Sequence, residues 1–236
     1  MRQDDIPAIR SLHLFRDMTD DAFDDLLRGA YVQNFPSRVE MITEGDSADF
    51  LHVIMTGSAE LLAHWNGRET CMATIRPVST FILAATIRDA PYLMSARTIE
   101  KSRIVMIPSQ DVRAVFARDA DFARAIVTEL ARCYRGVVRN TKNLKLRTSL
   151  ERLANYLLRA QNRAGDRAQF TLDTEKRRLA SFLGMTPENL SRAFRGLQAH
   201  GVQVDGARIT VTDRAALENF AKPCHLIDTV PAQSPY

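Results

Sequence analysis

Glu188, Ser191 and Arg192 follow one another at spacings of three and one, and Arg195 comes three residues later. On a helix these positions share one polar face. Their side chains offer a particular chemistry. A carboxylate accepts a hydrogen bond from cytosine N4, a guanidinium forks onto guanine O6 and N7, and a serine hydroxyl meets a base edge or a phosphate. No Ser-His-Asp set, metal-ligand cluster or phosphate loop occurs with the required spacing, so no catalytic residue is assigned. The sequence GDSAD lacks the strand–elbow context of a hydrolase nucleophile.

The stretch GMTPENLSRAF explains how that face is built. Gly184 can take the positive φ that ends a helix. Thr186 is a start signal, and Pro187 follows at the first helical position, where its missing N–H is not needed. Leu190, Ala193, Phe194 and Leu197 make the opposite, apolar face. The preceding TEKRRLASFLG supplies a partner helix, with Ala180 at its small position and Leu179, Leu183 and Met185 as core. This is a helix-turn-helix pattern. Thr186 is a candidate for a phosphate contact, and Lys176, Arg177, Arg178 and Arg195 are candidates for phosphate contacts or else solvated charges.

Three further regions must position it. Residues 1–30 look helical, with Thr19 as a helix start. From Tyr31 to about Ile107, short β-type runs such as FLHVIMTG and AELLAHWNGRE are separated by turns, Asn66-Gly67 being a strong hairpin signal. Val127, Leu130, Tyr134, Val137, Thr141 and Leu144 then alternate at spacings of three and four, which predicts a long helix with a dimerising seam. A monomeric helix with both apolar faces satisfied internally is the alternative. Phe122, Ile126 and Cys133 form a second stripe that could face the β region. Thr148-Ser-Leu-Glu151 is a capping box that opens a new helix. VQVDGARITVTD reads as a hairpin with an Asp205-Gly206 turn, Asp213 caps a last helix, and the proline-bearing tail from Lys222 is expected to lack order.

Composition fits two modest domains in 236 residues, with 45 % hydrophobic and 25 % charged content. Cys71, Cys133 and Cys224 are odd in number and far apart, against a disulfide framework or zinc site. There is no eighteen-residue apolar run and no signal-peptide pattern at MRQDDIPAIR, so no membrane partner and a cytoplasmic setting are expected. Residues 1–144 carry 18 Lys and Arg against 19 Asp and Glu, whereas residues 145–236 carry 14 against 9. The excess of +5 falls on the part with the helix-turn-helix, which points to a polyanion or to an uneven solvated surface.

A β region, a seam helix, a helix-turn-helix and a wing, in that order, resemble the CRP/FNR family of bacterial transcription regulators across roughly residues 8–221. EGDSADFLHVIMTGSAEL and ENLSRAF carry the likeness. The resemblance implies an α+β chain with a cyclic-nucleotide-binding-like β-roll sensor domain at 1–118, a dimerisation helix at 119–146, a winged helix-turn-helix at 147–221 and a tail at 222–236. It implies a homodimer that binds double-stranded DNA and works with RNA polymerase as an activator, reading bases through Glu188, Ser191 and Arg192. Pro187 stands where the cyclic-AMP branch has a further arginine, so the implied half-site is TTGAT with its repeat ATCAA. A protein-docking module with a degenerate ligand-binding β-roll is the rival reading.

The family's ligands divide by absence. Ile82 and Leu83 stand where cyclic-nucleotide binders have Gly-Glu, and Tyr92 and Leu93 stand near their Arg-Ser pair. No cysteine precedes Cys71, so the iron–sulfur branch is excluded too. Phe81, Ile82, Leu83, Tyr92, Leu93 and Met94 leave an apolar effector pocket, similar to the denitrification and nitric-oxide regulators. Haem is one occupant to test, with His13, His52 and His64 as candidate ligands. A packed core without ligand and another apolar or metal-linked effector stay open.

Overall fold

The structure, a computed structural model, describes residues 5–172 and 174–229. Pro231 and Pro235 of the tail lie outside the described residues. Two compact units divide between Tyr134 and Arg135, inside one continuous helix.

The first unit opens with α1 (Asp5–Arg10) and α2 (Asp20–Arg28). Thr19 caps α2 as its sequence signal predicts, accepting from Ala22 N–H at 3.4 Å. The strands are β1 (Tyr31–Phe35), β2 (Glu40–Ile42), β3 (Phe50–Thr56), β4 (Ala59–Trp65), β5 (Arg68–Ile75) and β6 (Ser79–Phe81). After α3 (Leu83–Arg88) come β7 (Ser95–Thr98) and β8 (Ser102–Pro108), then α4 (Ser109–Arg118) and α5 (Ala120–Leu146). Two antiparallel four-stranded sheets result, ordered β1-β8-β3-β6 and β2-β7-β4-β5.

The sequence of β3 shows why it sits centrally. Ile54 belongs to a core between the sheets, shared with Leu61, Ile75, Phe81 and Ile104. Leu51, Val53 and Met55 alternate onto the other face and pack with Val112, Phe122 and Ile126 from the helices and with Phe15 from the turn between α1 and α2. A strand covered on both faces needs a near-continuous apolar run, and FLHVIMT is one. At the β4–β5 tip, Asn66 and Gly67 both take positive φ (48° and 72°), the signature of a two-residue primed turn.

The second unit takes in the end of α5, then α6 (Ser149–Arg163), β9 (Gln169–Thr171), α7 (Lys176–Phe182) and α8 (Pro187–Gly196). A 3-10 turn at Leu197–His200 leads to β10 (Val202–Asp205) and β11 (Arg208–Val211), followed by α9 (Arg214–Ala221) and α10 (His225–Asp228). The capping box before α6 is complete: Thr148 N–H donates to Glu151 at 2.7 Å, and Glu151 N–H returns to Thr148 Oγ1 at 3.3 Å. Leu153, Leu157, Leu179, Leu190, Phe194 and Ile209 anchor its core. In the hairpin, Asp205 pairs with Arg208, so the loop residues are Gly206 and Ala207, one place beyond the Asp-Gly turn expected from sequence. Strand β9 adds to it through β11.

Two segments differ from expectation. Residues 83–88 lie within a region read as strands, yet they form α3, because Ile82 at φ 61° turns the chain directly out of β6. The expected loss of order from Lys222 is not seen up to Thr229. Asp228 accepts from Arg147 at 2.7 and 2.8 Å and from Arg159 at 2.6 Å, which holds α10 in place.

Candidate functional site

α7, the turn and α8 present the polar face predicted from spacing. Gly184 takes φ +63°, and the N–H of Met185 reaches back to Ala180 O at 3.0 Å, closing α7 in the manner of a Schellman cap. Thr186 then opens α8 by accepting from Asn189 N–H at 3.3 Å. Leu190, Ala193 and Phe194 turn inward and are buried. Glu188, Ser191, Arg192 and Arg195 are exposed on the outer face.

Each of these side chains is in a definable state. The Glu188 carboxyl is held below the ordinary carboxylate range, first by its own backbone N–H and then by the Thr186 hydroxyl, with Arg192 adding a smaller attraction. It is an ionised acceptor at the start of a helix, where negative charge is favoured. The Ser191 hydroxyl donates to Pro187 O at 3.0 Å, so its hydrogen is engaged and its oxygen is offered as an acceptor. On α7, Lys176 and Arg177 are exposed and Arg178 is half-buried. Lys176 Nζ lies 5.8 Å from the Phe194 ring centre, which steers this cation along α8.

Sequence reasoning missed the residue that joins this motif to its support. Arg152, on α6, is 92 % buried (8 % exposed). Its guanidinium donates to Leu183 O at 2.8 Å and Gly184 O at 3.3 Å in the turn. It also donates to Arg147 O at 2.7 Å, just past the end of α5. The unpaired carbonyls at two helix ends thus share one cation, the charge a helix C-terminus favours. Leu144 of α5 packs against the same turn: a Cβ on Gly184 would come within 2.7 Å of Leu144 Cδ2. A lone arginine in SLERLANYLL carries no sequence signal for this, because its partners are carbonyls from distant segments.

Along α5 the seam candidates separate. Val127, Tyr134, Val137 and Leu144 are exposed apolar residues, and Thr141 is exposed with them. Leu130 departs from the stripe: it is half-buried and, with Glu129 and Cys133, lines a cavity of about 410 Å³ in the first unit. Of the pocket candidates, Phe81, Ile82, Leu83, Leu93 and Met94 line this cavity. Tyr92 does not. It is buried in the inter-sheet core, and its hydroxyl donates to Phe50 O at 3.3 Å.

The cavity's donors do not fit haem. His13 is exposed on the N-terminal segment, and His64 sits between Glu44 and Glu69 on the outside of β4. His52 is buried and stacks on Phe81 with ring centres 5.2 Å apart, but it is not in the lining. Burial pushes its pKa down to about 4, so it is neutral near pH 7. The lining thiol, Cys133, is pushed up to about 11 by burial and the Glu129 charge, far from the thiolate an iron would take. Among the described residues no group of three or more His, Cys, Asp or Glu could hold a metal ion.

Residues 32–119 match the cyclic nucleotide-binding domain, and residues 151–220 match the Crp-like helix-turn-helix domain. The chain is a member of the CRP/FNR family. Its relatives include a CRP-like cAMP-activated global transcriptional regulator of Mycobacterium tuberculosis, 23 % identical over 80 % of this chain and 87 % of that protein. The transcriptional activator protein FnrA of Stutzerimonas stutzeri is 22 % identical over 84 % of this chain and 82 % of its own. The structure of FixK2 from Bradyrhizobium japonicum superposes with a TM-score of 0.65 at 22 % identity, covering 86 % of this chain and 99 % of that one.

Within the CRP/FNR family the architecture is therefore as the sequence implied: a cyclic-nucleotide-binding-like β-rich N-terminal domain, a long helix and a C-terminal helix-turn-helix. The protein is a DNA-binding transcription regulator of the CRP/FNR type, a family of regulators rather than enzymes. Among the described residues no helix is long and apolar enough to cross a membrane.

Proposed function

We propose that the chain acts in the cytoplasm as a homodimeric activator that reads a TTGAT-type palindrome for RNA polymerase, under an effector that is neither cyclic AMP nor an iron–sulfur cluster. The observation that carries this reading is the outward array on α8. Glu188 is an ionised acceptor suited to cytosine N4, and Arg192, one turn on, is a fork suited to guanine O6 and N7. Thr186, Lys176, Arg177, Arg178 and Arg195 flank the array as phosphate contacts that set its register. Pro187 at the first helical position leaves no further cation before Glu188, which favours TTGAT.

Two copies of α8 must enter major grooves about 34 Å apart, so the site is an inverted repeat. The apolar stripe Val127, Tyr134, Val137 and Leu144 supports pairing through α5. Against cyclic AMP stands the chemistry of the cavity, whose wall has Ile82 and Leu83 where a ribose, and Leu93 near where a phosphate, would need polar partners.

A gel-shift titration with a duplex carrying TTGAT and its inverted repeat ATCAA, centred one helical turn apart, tests the assignment. Binding should weaken steeply with salt yet prefer this duplex to a scrambled one. Arg192→Ala should cost about 1–3 kcal/mol in specific binding and relax base choice at the guanine. Equal affinity of wild type and variant for both duplexes would remove Arg192 from base reading.

A further inference from the structure

The cavity of about 410 Å³ lies inside the usual range of roughly 300–1,000 Å³ for small-ligand sites. Its wall is made by Phe81, Ile82, Leu83, Met94 and Leu130, all apolar. Its charged members are Arg88, at the end of α3, and Glu129, on α5. These two differ in how they are matched. Glu129 pairs with Arg132 at 2.6 Å and accepts from the Cys133 thiol at 3.8 Å, so its charge is already answered. The neighbour of Arg88, Asp89, is taken by Arg113 at 3.0 Å. Arg88 is exposed, and among the described residues no carboxylate pairs with it.

We propose that this cavity binds a small molecule with an apolar body and a single carboxylate. This rests on the reading of the first unit as an effector domain. The body fills the space between α3 and α5, where burial of apolar surface supplies the affinity. The carboxylate meets Arg88, whose planar fork matches it bidentately. A phosphate-bearing ligand would bring more charge and more acceptors than one guanidinium and an apolar wall satisfy. A fully apolar ligand would leave Arg88 unused. Leu130 and Cys133 carry ligand contact to α5, so the occupied state differs from the empty one on that helix.

Calorimetry on the full chain with octanoate and octan-1-ol tests this. The expected result is one octanoate per chain, bound about tenfold tighter than octan-1-ol, as a charge-assisted pair implies. Arg88→Ala should lower octanoate to the level of octan-1-ol and leave octan-1-ol unchanged, and Arg88→Lys should recover part of the difference. Position is tested separately, by peptide-resolved alkylation: octanoate should slow the reaction of Cys133 with N-ethylmaleimide, with Cys224 unaffected. Absence of octanoate binding, equal affinity for acid and alcohol, an unchanged Arg88→Ala variant, or an unprotected Cys133 would each overturn the assignment. Palindrome binding is scored without any ligand. Its failure alongside intact octanoate binding would sink the DNA reading and leave this one standing.

Discussion

Arg152 Nε donates to Leu183 O at 2.8 Å, and the same guanidinium donates to Arg147 O at 2.7 Å. One buried side chain therefore holds the end of the long helix and the turn of the DNA-reading motif together. Burial pushes the Arg152 pKa down, yet the carbonyl oxygens around it supply the acceptors that a buried cation requires.

Arg152→Ala should destabilise the second unit by about 2–4 kcal/mol, since it strands carbonyls at two helix ends. Amides of α7 and of the 183–186 turn should exchange faster by hydrogen-exchange mass spectrometry. Affinity for the palindrome should fall while its salt slope stays the same, because no phosphate contact is removed. A lowered slope with unchanged exchange would instead make Arg152 a phosphate contact.

Gly184→Ala separates backbone from packing at the same turn. A residue with a Cβ at φ +63° costs roughly 1–2 kcal/mol. The new Cβ also meets Leu144 Cδ2, the end of a side chain that is 39 % exposed and free to move aside. The loss should therefore stay near the backbone figure, and in a Leu144→Ala background any steric part should vanish. Thermal melts of the four proteins in that cycle give the answer. A coupling above about 1 kcal/mol would mean that Leu144 is fixed against the turn.

The parts legible in the sequence are those with local chemistry. Gly184, Thr186 and Pro187 specify a turn and a helix start through neighbours within four residues, and the polar face of α8 follows from period alone. The Thr148–Glu151 box and the Asn66-Gly67 turn are legible for the same reason. Leu130 was not, because a heptad spacing fixes which residues share a stripe but not whether a partner helix or the chain's own cavity covers each one. Tyr92 and Leu93 are adjacent in sequence, yet one joins the core and the other is 82 % exposed. Contacts with distant segments decide that: Tyr92 N–H donates to Asp46 O at 2.9 Å and its hydroxyl to Phe50 O at 3.3 Å. Arg152 and Asp228 are the extreme case: their partners lie up to 81 residues away.

Burial of His52 predicts an acid response of the first unit. The imidazole titrates near 6.5 when unfolded and at about 4 when buried, so in that interval the unfolded chain binds the extra proton. Stability is then full above pH 6.5 and is lost as pH falls toward 4, by a total of roughly 3 kcal/mol for a shift of this size. His52→Leu should abolish that slope while keeping an apolar cross-strand contact with Phe81. Melting temperatures of both proteins across the interval provide the comparison. Parallel curves would show that the acid loss comes from other groups.

Val137 tests whether α5 pairs with a second copy. It is 54 % exposed, with Tyr134 at 69 % one turn before it, on a helix 27 residues long. Apolar side chains repeated along one exposed face raise the free energy in water and lower it when buried on a matching face. Val137→Glu places like charges opposite each other at a symmetric seam, which opposes pairing without touching the core of either unit. Sedimentation equilibrium should give a dimer for the wild type and a monomer for the variant. Because two half-sites are read at once only by a dimer, the variant should also lose palindrome binding far beyond what one side chain contributes, while single-half-site binding stays weak and unchanged. A variant that remains dimeric, or a monomeric wild type that binds the palindrome in full, would place the seam elsewhere.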